Sequence, residues 1–312
     1  MALSLVEAAK LMANGGQTVR ASVIAMFARS SDLLMAMPFK DITGNAYAYQ
    51  QEGSLPSVAF RGVNESYTPS TGVINPQVEA LRIAGGELDV DSFIIKTGGP
   101  GVRSAHEELK VKSLAAELTR ALIKGDSTSN PREFDGLQAR LTGSQLIEAG
   151  STDGGDALSL LKLDELIDTV IGTNKYLIMN KAMRRRLTAA ARTTTVGGYI
   201  TYQQDAFGRQ VTHYNDIPIL TAYSNNDGTD PIAFDEVGSG GSTATATSIY
   251  CAAFGEGQVT GLQNGVMDVR DLGELDTSPL WRTRVEWFVG LCIEHGRAAA
   301  RLRGIKNAAV TA

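Results

Sequence analysis

The sequence predicts an α+β fold, and three observations carry that expectation. Val102 to Lys124 is the longest segment with helical apolar periodicity, residues 41 to 95 alternate with the two-residue period of exposed strands, and short helices and strands interleave from about residue 130. A closing run of strands from about residue 266 completes the pattern.

The first forty residues read as a helical arm. Ser4-Leu5-Val6-Glu7 fits a capping box, and Asn14-Gly15-Gly16 separates it from a second pattern running from Gln17 to Met37, where Pro38 stops it. Four methionines (Met12, Met26, Met35, Met37) suit a surface that packs adaptably. In residues 41–95, Tyr47, Tyr49, Val58, Phe60 and Val63 alternate with small or polar residues. Asn64 to Gly72 reads as a turn, and the chain returns through Val78, Leu81, Ile83 and Val90 to Phe93-Ile94-Ile95. This stretch has too few large apolar residues for a core of its own. An isolated hairpin is marginal in water, so it must lie on its own subunit or on another.

Residues 96–129 are dominated by the Val102–Lys124 helix, with Leu109, Leu114, Leu118, Ala121 and Leu122 as its apolar stripe. At ~1.5 Å per residue it spans about 35 Å. Gly99-Pro100-Gly101 breaks the chain before it, and Gly125 is placed to end it as a C′ glycine. In residues 130–265 a helix is expected over Leu161–Ile171 and a strand over Tyr176–Met179, followed by a helix capped by Asn180. Strands then follow at Tyr199–Tyr202, Val211–Tyr214, Ile217–Ala222 and Ser248–Phe254, with a polar loop from Ser224 to Pro231. Residues 266–312 give strands at Val266–Val269, Trp281–Ile293 and Ala298–Leu302, the last two read as one bent strand around His295-Gly296 that closes a sheet.

Composition narrows the function. The chain has 312 residues with 29 Lys+Arg against 34 Asp+Glu, a net charge of −5, which gives no general reason for nucleic-acid affinity. No run reaches the ~18 apolar residues of a membrane span, and no secretory signal is visible. Cys251 and Cys292 are the two cysteines, which argues against a disulfide scaffold and suits a reducing cytoplasm. His106, His213 and His295 are far apart in sequence and form no metal-ligand spacing with one another. The Gly238–Thr243 stretch lacks the spacing and lysine of a phosphate loop and reads as an exposed loop. Arg184-Arg185-Arg186 leaves three readings open: a solvated face, a subunit contact or a phosphate site. No catalytic, cofactor-binding or metal residue is expected.

Taken in order, these segments resemble the tailed-bacteriophage major capsid protein of the Hong Kong 97 type, a fold shared with encapsulin shells. The resemblance rests on Ser31-Asp32-Leu33-Leu34 through Met37-Pro38-Phe39, on Ala59 to Glu65, and on Ile123-Lys124-Gly125-Asp126. Asn130 to Leu137, Arg284 to Ile293 and Arg301 to Ile305 complete it. Their order and spacing matter more than any one of them.

The resemblance implies an N-terminal arm (1–40), an extended E-loop (41–95), a peripheral domain with its spine helix (96–129), an axial α/β domain (130–265) and closing peripheral strands (266–312). It further implies a non-enzymatic head protein that self-assembles into pentamers and hexamers around double-stranded DNA, which it contacts without sequence specificity. The protein would be made in the bacterial host cytoplasm, end in the virion capsid, and need no cofactor or membrane. Separate scaffolding, portal and decoration proteins are compatible partners. An encapsulin-like compartment is the alternative, and a cytoplasmic α/β enzyme a distant one.

Two sequence features refine this. Residues 41–95 carry seven acids against two bases, and residues 281–312 carry six bases against two acids. The expectation is that the acidic loop docks partly on the basic segment of a neighbouring subunit. No lysine occurs between Asp41 and Ile95. The covalent lysine–asparagine link of the family's founding member therefore has no loop nucleophile here, and the shell is expected to be non-covalent.

Overall fold

The computed structural model describes residues 3–5, 31–192, 200–204, 210–222 and 230–311. Strand β1 (Leu3–Ser4) pairs antiparallel with β2 (Pro38–Asp41), and helix α1 (Asp32–Ala36) precedes β2. Ser4 therefore sits in a short strand. Most of the helical arm expected before Ser31, including Glu7, lies outside the described residues. Ser31 accepts a hydrogen bond from Thr119 Oγ1 (2.9 Å), and Asp32 accepts one from Thr221 Oγ1 (2.9 Å). These two bonds fix α1 against the long helix and against a strand of the second sheet.

Next come β3 (Ala46–Ser54) and β4 (Val73–Ala80), an antiparallel pair, then β5 (Arg82–Asp91) and helix α2 (Ser92–Gly98). The expectation that Val58, Phe60 and Val63 continue a strand is corrected, because residues 55–72 form an irregular tip. Phe93-Ile94-Ile95 is also corrected from strand to helix. The Asp91 carboxylate accepts from Phe93 N (2.7 Å), and that cap turns the chain out of its extended run.

Helix α3 (Pro100–Lys124) follows, joined to α2 through Gly99 at φ 80°. Its buried side carries Val111, Ala115, Leu118, Leu122 and Ile123, while Leu109, expected on that stripe, is 54% exposed. Gly125 ends the helix, though its φ is −57°, so the expected left-handed C′ geometry does not occur. Glycine is required for space instead: a Cβ there would run into the carbonyl oxygens of Ala121 and Phe134.

The remaining elements are α4 (Leu137–Arg140), β6 (Leu146–Glu148), α5 (Leu160–Thr169), β7 (Lys175–Met179), α6 (Lys181–Ala191), β8 (Ile200–Gln204), β9 (Gln210–Tyr214), β10 (Ile217–Thr221), β11 (Glu236–Val237), β12 (Ala244–Ala253), β13 (Val259–Gln263), β14 (Asp268–Glu274), β15 (Leu280–Ile293) and β16 (Ala299–Ile305). Asn180 caps α6 as expected, accepting from Met183 N at 2.7 Å. Tyr199 and most of the polar loop expected at Ser224–Pro231 lie outside the described residues.

One sheet runs β1-β2-β13-β15-β14, with β5 on the other edge of β15. The larger one runs β6-β16-β12-β7-β10-β9-β8, with β11 added to β12. Strands β7 and β10 pair in parallel through the α6 crossover. From Ala246 to Ala253 strand β12 is buried without a break, and its alternate residues feed two cores. Tyr250 and Ala252 join the core under α3 and the first sheet, while Ile249, Cys251 and Ala253 face the core under α5 and α6.

This topology corrects two further expectations. Strand β13 was not anticipated, and Val266–Val269 is only partly strand. Leu280–Ile293 and the last strand do not close one sheet: β15 belongs to the first and β16 to the second.

A test follows from Gly125. Replacing it with alanine should destabilise the chain by about 1–3 kcal/mol through overpacking. Gly143→Ala, where φ is +64° and no atom lies within 4 Å of the added Cβ, should cost about 1 kcal/mol through torsion. Urea unfolding of the two variants measures the difference.

Candidate assembly surface

The β3–β4 hairpin is held at its root by side chains from three other segments. Lys40 Nζ donates to Tyr47 Oη (2.7 Å), which donates to Glu294 Oε1 (3.0 Å). Two residues along β3, Tyr49 Oη donates to Glu79 Oε1 (3.4 Å), and Glu79 also takes a bidentate contact from Arg140. The two tyrosine rings stack with centroids 6.0 Å apart. The root is thus pinned to β2, to α4 and to the turn after β15.

The tip has no such support. Every residue from Glu52 to Val78 is exposed. Val58 is 95% and Val63 91% accessible, Phe60 is fully so, and Leu55 and Tyr67 are largely so. Burying side chains of this kind yields about 1.5–3 kcal/mol each, so a chain that leaves five of them in water has a strong incentive to cover them. Within the tip, Gly62 N donates to Glu65 Oε2 (2.8 Å) and the Arg61 guanidinium lies 5.3 Å from the Tyr67 ring centre. These local contacts shape it without covering its apolar side chains.

The charge asymmetry resolves differently from the sequence expectation. Strand β5 pairs with β15 over ten residues, from Leu280↔Asp91 to Val289↔Arg82, so residues 82–91 are part of a subunit sheet and not of a free loop. On the outer face Arg282 grips Asp89 (2.7 Å, twice) and Glu87 (2.9 Å), and Arg284 reaches Glu87. Farther on, Arg301 pairs with buried Glu236 (2.8 Å) and Arg303 with Glu148 (2.6 Å). Much of the acidic and basic excess is therefore neutralised inside one chain. Those carboxylates are not available to dock on a neighbour, because strand pairing places the opposite charges opposite each other already.

No family model and no curated protein sequence matches the chain. Solved structures do. The holo-SrpI encapsulin complex from Synechococcus elongatus superposes with a TM-score of 0.63 at 17% identity, covering 90% of this chain and 89% of that one. The capsid of the native GTA particle gives 0.60 at 13% identity over 88% and 90%. A virus-like particle from Pyrococcus furiosus gives 0.52 at 11% identity over 92% and 98%. The chain has the Hong Kong 97-type capsid fold.

The three histidines lie on separate elements. His106 lies exposed on α3, His213 Nδ1 contacts Val211 O (3.0 Å) within β9, and His295 Nδ1 accepts from Arg297 N (3.1 Å) in a turn. Among the described residues, no group of three or more His, Cys, Asp or Glu could hold a metal ion. Burial pushes both the Cys251 and the Cys292 thiols up to about 12, which keeps them protonated at neutral pH. The Gly238–Thr243 loop interlocks with residues 150–156: Asp153 accepts from Thr243 N (2.9 Å) and from its hydroxyl (2.8 Å).

Sequence reasoning missed a cavity of about 480 Å³ between the end of α3 and β16, lined among others by Lys124, Asp235, Glu236, Arg301 and Arg303. Its charges are paired with one another or with neighbours, Lys124 with Asp235 at 2.7 Å. The Lys124–Asp235 pair ties the end of α3 to the residue preceding β11 of the second sheet. These partners are far apart in the chain, so no local signal could have revealed it.

The β5–β15 charge ladder makes a titration prediction. The hydrogen bond from Arg282 holds the Asp89 carboxyl below its ordinary value of 3.8. A lowered folded pKa means the contribution is complete above the unfolded value and is lost as pH falls through the folded one. Arg282→Gln should move the Asp89 midpoint, followed by NMR, up towards the ordinary value. An unmoved midpoint would show that the pair does not hold the carboxylate.

Proposed function

We propose that this chain is a shell subunit: the major capsid protein of a tailed phage or prophage, assembling as pentamers and hexamers into an icosahedral shell around double-stranded DNA. The observation that carries this reading is the pinned hairpin with its uncovered apolar tip, in a chain whose fold is shared with capsid and encapsulin particles. A rigid root and an apolar tip suit a part that reaches across a neighbouring copy. Repeated around a ring, that head-to-tail contact closes on itself and needs no further chemistry. Because the hairpin contains no lysine, the shell is held by packing and ion pairs alone in this reading. Portal, scaffolding and decoration partners belong to the same proposal.

The second reading is a cellular compartment, and the likeness to the SrpI encapsulin complex favours it. Both readings need the same subunit contacts and differ in what the particle encloses.

Electron microscopy of the expressed protein tests the shell itself and its contents. Replacing Val58, Phe60 and Val63 with serine should leave the subunit's melting temperature within a few degrees of the parent and abolish particles. Normal particles from that variant would remove the tip from the interface. A parent chain that stays monomeric at high concentration would overturn the shell reading.

A further inference from the structure

Helix α6 carries a surface that neither the fold nor the hairpin explains. At 3.6 residues per turn, Lys181, Arg184, Arg185, Thr188 and Arg192 fall within an arc of about 100°, turned away from the buried Met183 and Leu187. The stripe runs about 17 Å along the helix. Lys181, Arg185 and Arg192 are exposed and Arg184 is half-buried. Arg186, which drew the eye in the sequence, points elsewhere, and its Nε donates to Asn307 Oδ1 (2.8 Å). No Asp or Glu occurs anywhere from residue 169 to 204. Among the described residues, no carboxylate lies in ion-pair range of Arg184, Arg185 or Arg192.

We infer that this stripe binds the phosphate backbone of a nucleic acid without reading its sequence. Three observations favour that partner. Arginine makes up three of the four cations, and its planar fork matches phosphate oxygens in paired hydrogen bonds. The stripe has no Asn, Gln or aromatic side chain able to read or stack a base. Its one neutral polar member, Thr188, donates its hydroxyl to Arg184 O (2.9 Å). The most acidic segment of the chain, residues 41–95, has Glu79, Glu87 and Asp89 paired internally, which weakens a second copy as the anionic partner. The inference rests on the shell reading only for where the nucleic acid comes from, since it would be the enclosed polymer.

The test uses the full-length protein and a fluorescently labelled duplex of mixed sequence, with anisotropy recorded across a range of salt concentrations. The parent should lose affinity as salt rises. The triple variant Arg184→Gln, Arg185→Gln, Arg192→Gln should bind at least ~10-fold more weakly, with a log–log salt slope shallower by about 3, near one unit per lost phosphate contact. Arg132→Gln, an exposed base elsewhere, should leave the slope unchanged. If the triple variant fails to fold by circular dichroism, Arg185→Gln alone should reduce the slope by about 1.

An unchanged slope overturns the inference, as does preference for one duplex sequence over another. Displacement of the duplex by polyglutamate at equal charge also overturns it, since the stripe would then serve an acidic protein. Dissociated subunits that reassemble into particles yet do not bind the duplex would end this inference and leave the shell reading standing. Stripe-dependent binding by chains that never assemble would do the reverse.

Discussion

Strand Leu280–Ile293 is hydrogen-bonded on both edges along nearly its whole length, and most of the molecule is positioned by it. One edge carries β14 and then β13, the other carries β5, and through β13 the sheet reaches β2 and β1. Its inward residues Val285, Trp287 and Val289 share a core with the buried side of α3, and Phe39 meets Trp287 with ring centres 5.0 Å apart. Its outward residues Arg282 and Arg284 lock β5 in register through charge. The hairpin leaves the chain between β2 and β5, two strands of this sheet, so its root is anchored to the sheet while its tip is not.

That contrast explains how one chain can be well folded and still incomplete. The chain pairs the charges along β5 and β15 and fills its two cores internally, and it leaves an apolar cluster exposed at the end of a pinned hairpin. In the proposed shell, shape and hydrophobic burial, more than long-range charge, would join one copy to the next. The exposed arginines of α6, Arg185 and Arg192, are the polar counterpart, on a helix packed against the second sheet.

Features set by neighbouring residues were legible in the sequence. The spine helix was placed within two residues at its start, because a proline next to Gly99 and a 3.6-residue apolar period are local signals. Asn180 was recognised as a cap for the same reason. What escaped depends on distance in sequence. The partner of β5 lies nearly two hundred residues away, so the charge pairing looked like a feature for docking a neighbour. Strand β13 reads Val-Thr-Gly-Leu-Gln, with a glycine that is needed because a Cβ there would lie 2.5 Å from the Phe39 ring. Phe93–Ile95 was misread because three apolar residues fit a strand or a helix equally well, and a single carboxylate decided between them. On α6, the adjacency of three arginines hid the stripe formed by residues three and four apart.

The central claim is that the hairpin tip is covered by another copy of the chain. Hydrogen–deuterium exchange of residues 55–72, compared between assembled particles and dissociated subunits, tests it directly. Fast exchange is expected in the subunit and strong protection in the particle, confined on the hairpin to the tip and its flanking strands. Equally fast exchange in both states would contradict it.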